Sequence, residues 1–322
     1  MLHTALCDLL SIEVPIIGAP MYKVGGGRLA AAISAAGGLG MIAAGNADAP
    51  ESIAKEAMVA KQAGKPYGIG LMAWVLDDHP EMVDATVAQS PDLVSVSFGS
   101  LAKYISILKE AGLCVAAQVG TPEEAIEAIE ASVDILVARG GEGGGHGRDE
   151  ISTLVLLQVV LGLTEEIPVV AAGGIATPSG LAAVLAAGAA GAWIGTPFLT
   201  CAESATTLEA RRRILRAGAG DTISTRVFDI AQGAGWPIVF PGRALRNQFT
   251  AMWHGNEEDL SNSEEARETL MQAIEDGDYD KAFIYAGQSV GLAKKETTAA
   301  EFMGAIVSGA EMLLNRFADS ST

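Results

Sequence analysis

Cysteine is scarce in these 322 residues: Cys7, Cys114 and Cys201 stand far apart, with no C-x-x-C pair. That excludes a disulfide scaffold, and the four histidines show no metal-ligand spacing either. Such cysteine usage fits a reducing cytosol. Aromatic residues make up only 5%. Positive charge is short as well, with 21 Lys and Arg against 39 Asp and Glu and a net charge of −18. A chain so poor in phosphate-neutralising groups is unsuited to non-specific nucleic-acid binding. Its one basic run, Arg211-Arg212-Arg213, sits in a helical stretch and reads as a solvated face. The most apolar stretch, Leu181 to Ile194, is broken by Gly188 and Gly191 and is too short for a membrane span. Met1 to Ile12 lacks the basic flank and apolar core of an export signal. The expectation is an acidic, soluble, cytoplasmic protein with neither membrane nor nucleic-acid partners. Its oligomeric state is not legible.

What the chain does have is apolar content, 49% hydrophobic against 19% charged, which excludes disorder and permits a large core. Short apolar runs alternate with Ala-, Glu- and Leu-rich stretches, jointed by Gly or Pro. Eight strands are predicted: Val14–Met21, Leu39–Ala44, Tyr67–Trp74, Leu93–Phe98, Cys114–Val119, Asp134–Ala138, Val169–Ala172 and Ala192–Ile194. A helix follows each, the eighth being Ala205–Ala217. Thr121-Pro122 and Thr177-Pro178 are helix starts, with Thr as cap and Pro in the first turn. The strands are continuously apolar rather than alternating, as parallel strands buried on both faces should be. Eight such units within roughly 200 residues favour a closed TIM (β/α)8 barrel over an open sheet. The predicted division is a barrel over 1–218 and an appended, mostly helical cap over 219–322. In the cap, acidic helical stretches at Ser263–Glu275 and Ala299–Phe317 follow a Gly- and Pro-broken segment containing Trp236-Pro237 and Phe240-Pro241-Gly242.

In a barrel, ligand-binding groups belong at the C-terminal strand ends. The seventh predicted strand runs into Gly173-Gly174-Ile175 and the eighth into Gly195-Thr196. Paired there, such glycines let backbone N–H groups approach an anion, which points to a phosphate site. The sixth strand runs into Arg139-Gly140-Gly141-Glu142-Gly143-Gly144-Gly145-His146-Gly147-Arg148. A loop so costly in backbone entropy brings its backbone close to something or moves. His146 is the one histidine at the barrel mouth, suited to act as a base or a hydrogen-bond donor. Met21, after Gly18-Ala19-Pro20, could pack on a flat ring, and Gln118 could offer a paired donor and acceptor. Rossmann and P-loop motifs are absent.

With these residues the chain resembles the nitronate monooxygenase family of FMN-dependent barrel flavoproteins. The resemblance runs from Ala19-Pro20-Met21 and Gly37-Gly38-Leu39-Gly40 through Tyr67-Gly68-Ile69-Gly70 and the Gly141–Arg148 loop. It continues through Ala172-Gly173-Gly174-Ile175 and Gly195-Thr196 to Ala286-Gly287-Gln288-Ser289-Val290-Gly291-Leu292. It implies FMN across the strand ends, its phosphate on Gly173, Gly174, Gly195 and Thr196. Ala19, Pro20, Met21, Gln118, Arg139 and Gly144 are further cofactor-binding candidates, and His146 is the catalytic residue. The implied reaction takes an alkyl nitronate and O2 to a carbonyl compound and nitrite. An NAD(P)H-dependent flavin reductase of the enoyl-acyl-carrier-protein reductase or NADH:quinone reductase type is the alternative on the same scaffold. Two departures from the family pattern stand out: Gly70 where Asn is usual, and Arg139 where Gln is usual. If Arg139 points into the barrel, it would set a positive charge by the flavin.

Overall fold

The computed structural model describes residues 2–45 and 50–318, so residue 1 and residues 319–322, the outer ends of the predicted division, lie outside it. Eight parallel strands form the barrel: β1 (Ile16–Gly18), β2 (Gly40–Ala43), β3 (Tyr67–Met72), β4 (Leu93–Ser97), β5 (Val115–Val119), β6 (Ile135–Arg139), β8 (Val169–Ala172) and β9 (Gly191–Ile194). They pair in the order β1-β9-β8-β6-β5-β4-β3-β2. A parallel bridge between Ile17 and Leu39 brings β2 back to β1 and closes the ring. Side chains along each strand alternate between two cores. Ile17, Met41, Leu93, Ala116, Ile135, Val137, Val170 and Trp193 fill the barrel interior. Leu136, Ala138, Val169 and Ala171 face the helices. Both faces are dry, which is why the strands carry no polar alternation.

Helix α1 (Ala5–Leu10) was not apparent in the sequence pattern; it sends Leu6, Cys7 and Leu10 into the barrel interior as a bottom plug. The predicted caps form: Thr121 accepts from the Glu124 N–H and Thr177 from the Gly180 N–H, both at 3.2 Å. The outer ring includes α2 (Gly27–Ala35) and α9 (Pro178–Ala186).

The stretch expected as the eighth barrel helix, Ala205–Ala217, folds as α10 (Leu208–Arg216) but packs elsewhere. Its narrow apolar stripe, Ala210 and Ile214, meets Leu199, Leu245, Ile284 and Val290. The place between α9 and α2 is taken by α15 (Ala299–Ala318), whose Ala299, Met303, Ile306 and Ala310 join the main core. Gly309 makes the fit possible, since a Cβ there would stand 2.6 Å from the Pro178 ring. The chain between β9 and α15 is therefore an excursion over the barrel mouth, closed by a barrel helix.

That excursion holds a second sheet, ordered β10-β11-β7, of Thr222–Thr225, Gly242–Leu245 and Gly145–His146. It also holds α11 (Val227–Gln232), α12 (Gln248–Trp253), α13 (Glu257–Ser261) and α14 (Glu264–Asp276). Strand β7 belongs to the glycine-rich loop after β6, so cap and loop share a sheet. Among the described residues, no helix is long and apolar enough to cross a membrane.

Candidate functional site

The glycine-rich loop is gripped from several sides. Arg139 ends β6 with the same inward parity as Ile135 and Val137, yet its guanidinium turns onto the loop. It donates to the carbonyls of Gly143 at 2.7 Å, Gly145 at 3.1 Å and Arg148 at 2.7 Å. Only 5% of it is exposed. Burial first, and then the nearby Arg243, push its pKa down to about 10, which leaves it cationic at neutral pH. The donors expected to face a cofactor thus face backbone carbonyls. At the far end of the loop, Arg148 donates to Glu124 at 2.8 Å.

Gly144 is packed against the 286–288 segment: an added Cβ would lie 2.4 Å from the Gly287 nitrogen. The Gln288 N–H donates to the Glu142 carbonyl at 3.0 Å. The Gly-rich loop and Ala286-Gly287-Gln288, remote in sequence, are one interlocked unit.

His146 is set by this unit and by the cap. Strand β11 pairs Gly242 with His146 and Arg243 with Gly145. The His146 Nε2 lies 2.9 Å from Asp229 Oδ1, with the two side chains 9% and 7% exposed. Tyr285 donates its hydroxyl to the same Oδ1 at 3.2 Å. Burial first, and then the Asp229 carboxylate, raise the Tyr285 pKa well above the usual phenol range, so it stays a donor. The indole of Trp236 lies flat on the imidazole, 3.6 Å between centroids and 2° between planes. Trp236 also meets Trp74 and Phe98, each at 5.2 Å, and Phe98 meets Phe240 at 5.5 Å. Within this aromatic group the Trp74 Nε1 is buried without a partner, and Phe98 adopts a left-handed backbone at φ 65°. A bulky residue held there is a strained feature of the kind found at functional sites. The loop carrying Trp236 exposes Ile238 and Val239 at its tip.

The anion site expected at the last two barrel strands has the donors it needs. Among the described residues, no protein acceptor takes the backbone N–H groups of Gly173, Gly174, Gly195 or Thr196. Gly173 and Gly174 adopt φ of 107° and 72°, and beside Gly174 there is open space, with Glu142 Cβ the one atom within 4 Å of an added Cβ, at 3.7 Å. The Thr196 hydroxyl accepts from the Gly287 N–H at 2.9 Å, leaving its own proton to give. Unpaired N–H groups at the ends of the adjacent strands β8 and β9 fit a phosphate such as that of FMN.

Ala19 and Met21 approach Gly195: an added Cβ there would lie 3.4 Å from the Ala19 methyl and 3.5 Å from the Met21 sulfur. Pro20 fills the space beside Gly70, where a Cβ would fall 2.5 Å from the Pro20 ring. The departure at Gly70 is matched by that ring. Gln118 is half-buried on β5. The remaining histidines pair elsewhere, His3 with Asp8, His79 with Glu81 and His254 with Thr225.

Asp229, Tyr285, Trp74, Phe98 and Trp236 were not singled out as site residues in the sequence. Gly- and Pro-breaks flagged the Trp236 segment, and Tyr285 immediately precedes the quoted Ala-Gly-Gln motif. Nothing local marks Asp229.

The model of the nitronate monooxygenase family matches residues 3–82 and 76–309. A 5-hydroxy-7a-methyl-1-oxo-octahydro-1H-indene-4-carboxyl-CoA dehydrogenase of Mycobacterium tuberculosis is 35% identical over 228 residues, covering 70% of this chain and 64% of that protein. The chain thus spans less than two thirds of that relative. The structure of FabK from Thermotoga maritima superposes with a TM-score of 0.85 at 30% identity, covering 99% of this chain and 100% of that one. A nitroalkane oxidase of Streptomyces ansochromogenes gives 0.81 at 29% identity, covering 98% and 100%.

Proposed function

The chain belongs to the nitronate monooxygenase family, and from that membership we propose that it is an FMN-dependent oxidoreductase converting alkyl nitronates and O2 to carbonyl compounds and nitrite. The observation that carries this reading is the set of unpaired N–H groups at Gly173, Gly174, Gly195 and Thr196, donors for a phosphate at the ends of β8 and β9, beside the loop that carries His146. The likeness to a nitroalkane oxidase supports the substrate class.

In this reading Gly173, Gly174, Gly195 and Thr196 hold the phosphate, and Ala19, Pro20, Met21 and Gln118 border the ring. FMN, when bound, supplies the redox chemistry. The chain's own residues do the rest. His146 orients the substrate or moves its proton. Trp74, Phe98, Trp236 and Phe240 exclude water from its surroundings. Arg139 and Gly144 act on the cofactor side by fixing the loop. Residues 1–218 serve as the cofactor-binding barrel and 219–322 as the cap, which lends Asp229, Trp236 and Tyr285 to the site and α15 to the barrel.

A second reading is an NAD(P)H-dependent flavin reductase of the enoyl-acyl-carrier-protein reductase or NADH:quinone reductase type on the same scaffold; the relative named a carboxyl-CoA dehydrogenase supports it only in being an oxidoreductase of a CoA thioester. One experiment separates them. FMN-loaded protein is mixed anaerobically with NADH or with an alkyl nitronate while the oxidised flavin absorption is followed. Bleaching by the nitronate and not by NADH is the expected result; rapid bleaching by NADH alone would turn the assignment to the reductase.

A further inference from the structure

We propose that Asp229 is the positioning residue of this site: it accepts the Nε2 proton of His146 and leaves Nδ1 as the nitrogen that takes a proton from substrate. The proposal rests on the functional reading above for the chemistry of the site, extends its substrate from the alkyl nitronate to the neutral nitroalkane that yields it, and rests on geometry alone for its tautomer.

A neutral imidazole carries one N–H, and an ionised carboxylate can only accept. With Nε2 at 2.9 Å from Asp229 Oδ1, the proton sits on Nε2. Nδ1 then keeps its lone pair, and among the described residues it has no hydrogen-bonding partner. The ring cannot easily turn to exchange the two nitrogens, since Trp236 lies against one face at 3.6 Å and Tyr285 packs at 5.1 Å. Once Nδ1 is protonated, the imidazolium charge rests against a carboxylate in a water-poor setting, where a charged partner counts for more.

The charged and titratable groups around His146 are few. Asp229 comes from α11 and Tyr285 from the segment after α14. Arg139 reaches the loop through the Gly145 carbonyl, and Arg243 lies on β11 opposite Gly145. Both arginines disfavour a second positive charge, so Asp229 is the group that favours it. Tyr285 donates to the same Oδ1 and moderates the pull of the carboxylate on His146.

The step this arrangement serves is deprotonation of a neutral nitroalkane. The C–H bond beside the nitro group breaks, its proton goes to Nδ1, and the electron pair stays on the substrate to give the nitronate. A nitronate supplied ready-made needs no such transfer. Asp229 sits on the cap and His146 on the barrel loop, so the base is complete only when the two are paired through β11 and β7.

The test uses FMN-loaded full-length protein with 15N-labelled histidine, comparing the unaltered chain with Asp229→Asn and Tyr285→Phe. Imidazole 15N shifts should report an Nε2–H tautomer for His146. In Asp229→Asn, whose amide can donate as well as accept, the preference for Nε2–H should weaken, while Tyr285→Phe should keep it. Turnover of a neutral nitroalkane should fall ~100-fold in Asp229→Asn, with alkyl nitronate turnover changed less than ~5-fold. An Nδ1–H tautomer in the unaltered protein, an unchanged tautomer preference in Asp229→Asn, or equal losses on both substrates would overturn the proposal. If Asp229→Asn fails to fold, the tautomer in the unaltered protein and in Tyr285→Phe decides it. If the unaltered protein turns over neither substrate, the functional reading fails, while the NMR measurements still decide the role of Asp229.

Discussion

Arg139 donates to the Gly143 carbonyl at 2.7 Å, four residues further along the chain, and so ties the end of a barrel strand to the loop that carries His146. The same guanidinium holds the Gly145 and Arg148 carbonyls. A flat donor group with five N–H bonds replaces the internal secondary structure this loop lacks. Arg139→Met should strand several buried carbonyls and cost about 3 kcal/mol. Urea unfolding would measure it, and a midpoint equal to that of the unaltered protein would contradict the tie.

Gly70 and Pro20 form a matched pair, because any Cβ at 70 meets the Pro20 ring. Gly70→Asn, which restores the residue usual in the family, should destabilise the chain by about 1–3 kcal/mol through overpacking. Pro20→Ala in the same chain should recover part of that loss. A double-mutant cycle checks the coupling, and strict additivity would mean the two do not compete for space.

Gly174→Asp places a carboxylate in the open space beside Gly174. The expected outcome is folded but colourless protein, since a negative charge then stands where a phosphate must sit. Flavin absorption of the purified variant checks this; full FMN loading would refute the phosphate site.

His146→Ala should retain FMN, because the unpaired N–H groups lie on other strands, and should lose about 10²–10⁴ in turnover. Steady-state assays with a neutral nitroalkane, normalised to bound FMN, test it. Unchanged turnover would remove His146 from the chemistry.

Stability should decline as the pH is raised above 9. Burial, followed by Glu203, pushes the Cys201 thiol up to about 12, and burial, followed by Asp134, does the same for Cys114. Their folded pKa values exceed the unfolded ones, so this stabilisation is complete below pH 9 and is lost as the pH rises toward 12. Chemical denaturation between pH 8 and about 11 should show a shallower decline in Cys201→Ala than in the unaltered chain. Identical slopes would argue against it.

The barrel and much of the site's cofactor side were legible because the signals are local. Dry parallel strands must be continuously apolar, so Ile135–Ala138 and Val169–Ala172 announce themselves. Close backbone approach requires glycine, so Gly173, Gly174 and Gly195 mark the strand ends. The placement of His146 after β6 followed from the same counting.

Other features depend on which surfaces meet. Ala205–Ala217 forms a helix as its composition requires, yet only packing decided that α15 fills the barrel ring, because it has the broader apolar face and Gly309 lets it close on Pro178. Strand parity alone puts Arg139 inward, and only the folded loop supplied the carbonyls that capture it. Asp229 lies 83 residues from His146, and no periodicity or motif links them. The sequence by itself determined the barrel, its glycine-lined mouth and the histidine there, since these follow from residue-by-residue constraints on backbone and burial. The tertiary structure alone decided the partners of that histidine, since a hydrogen bond across so long a loop exists only once the cap has docked.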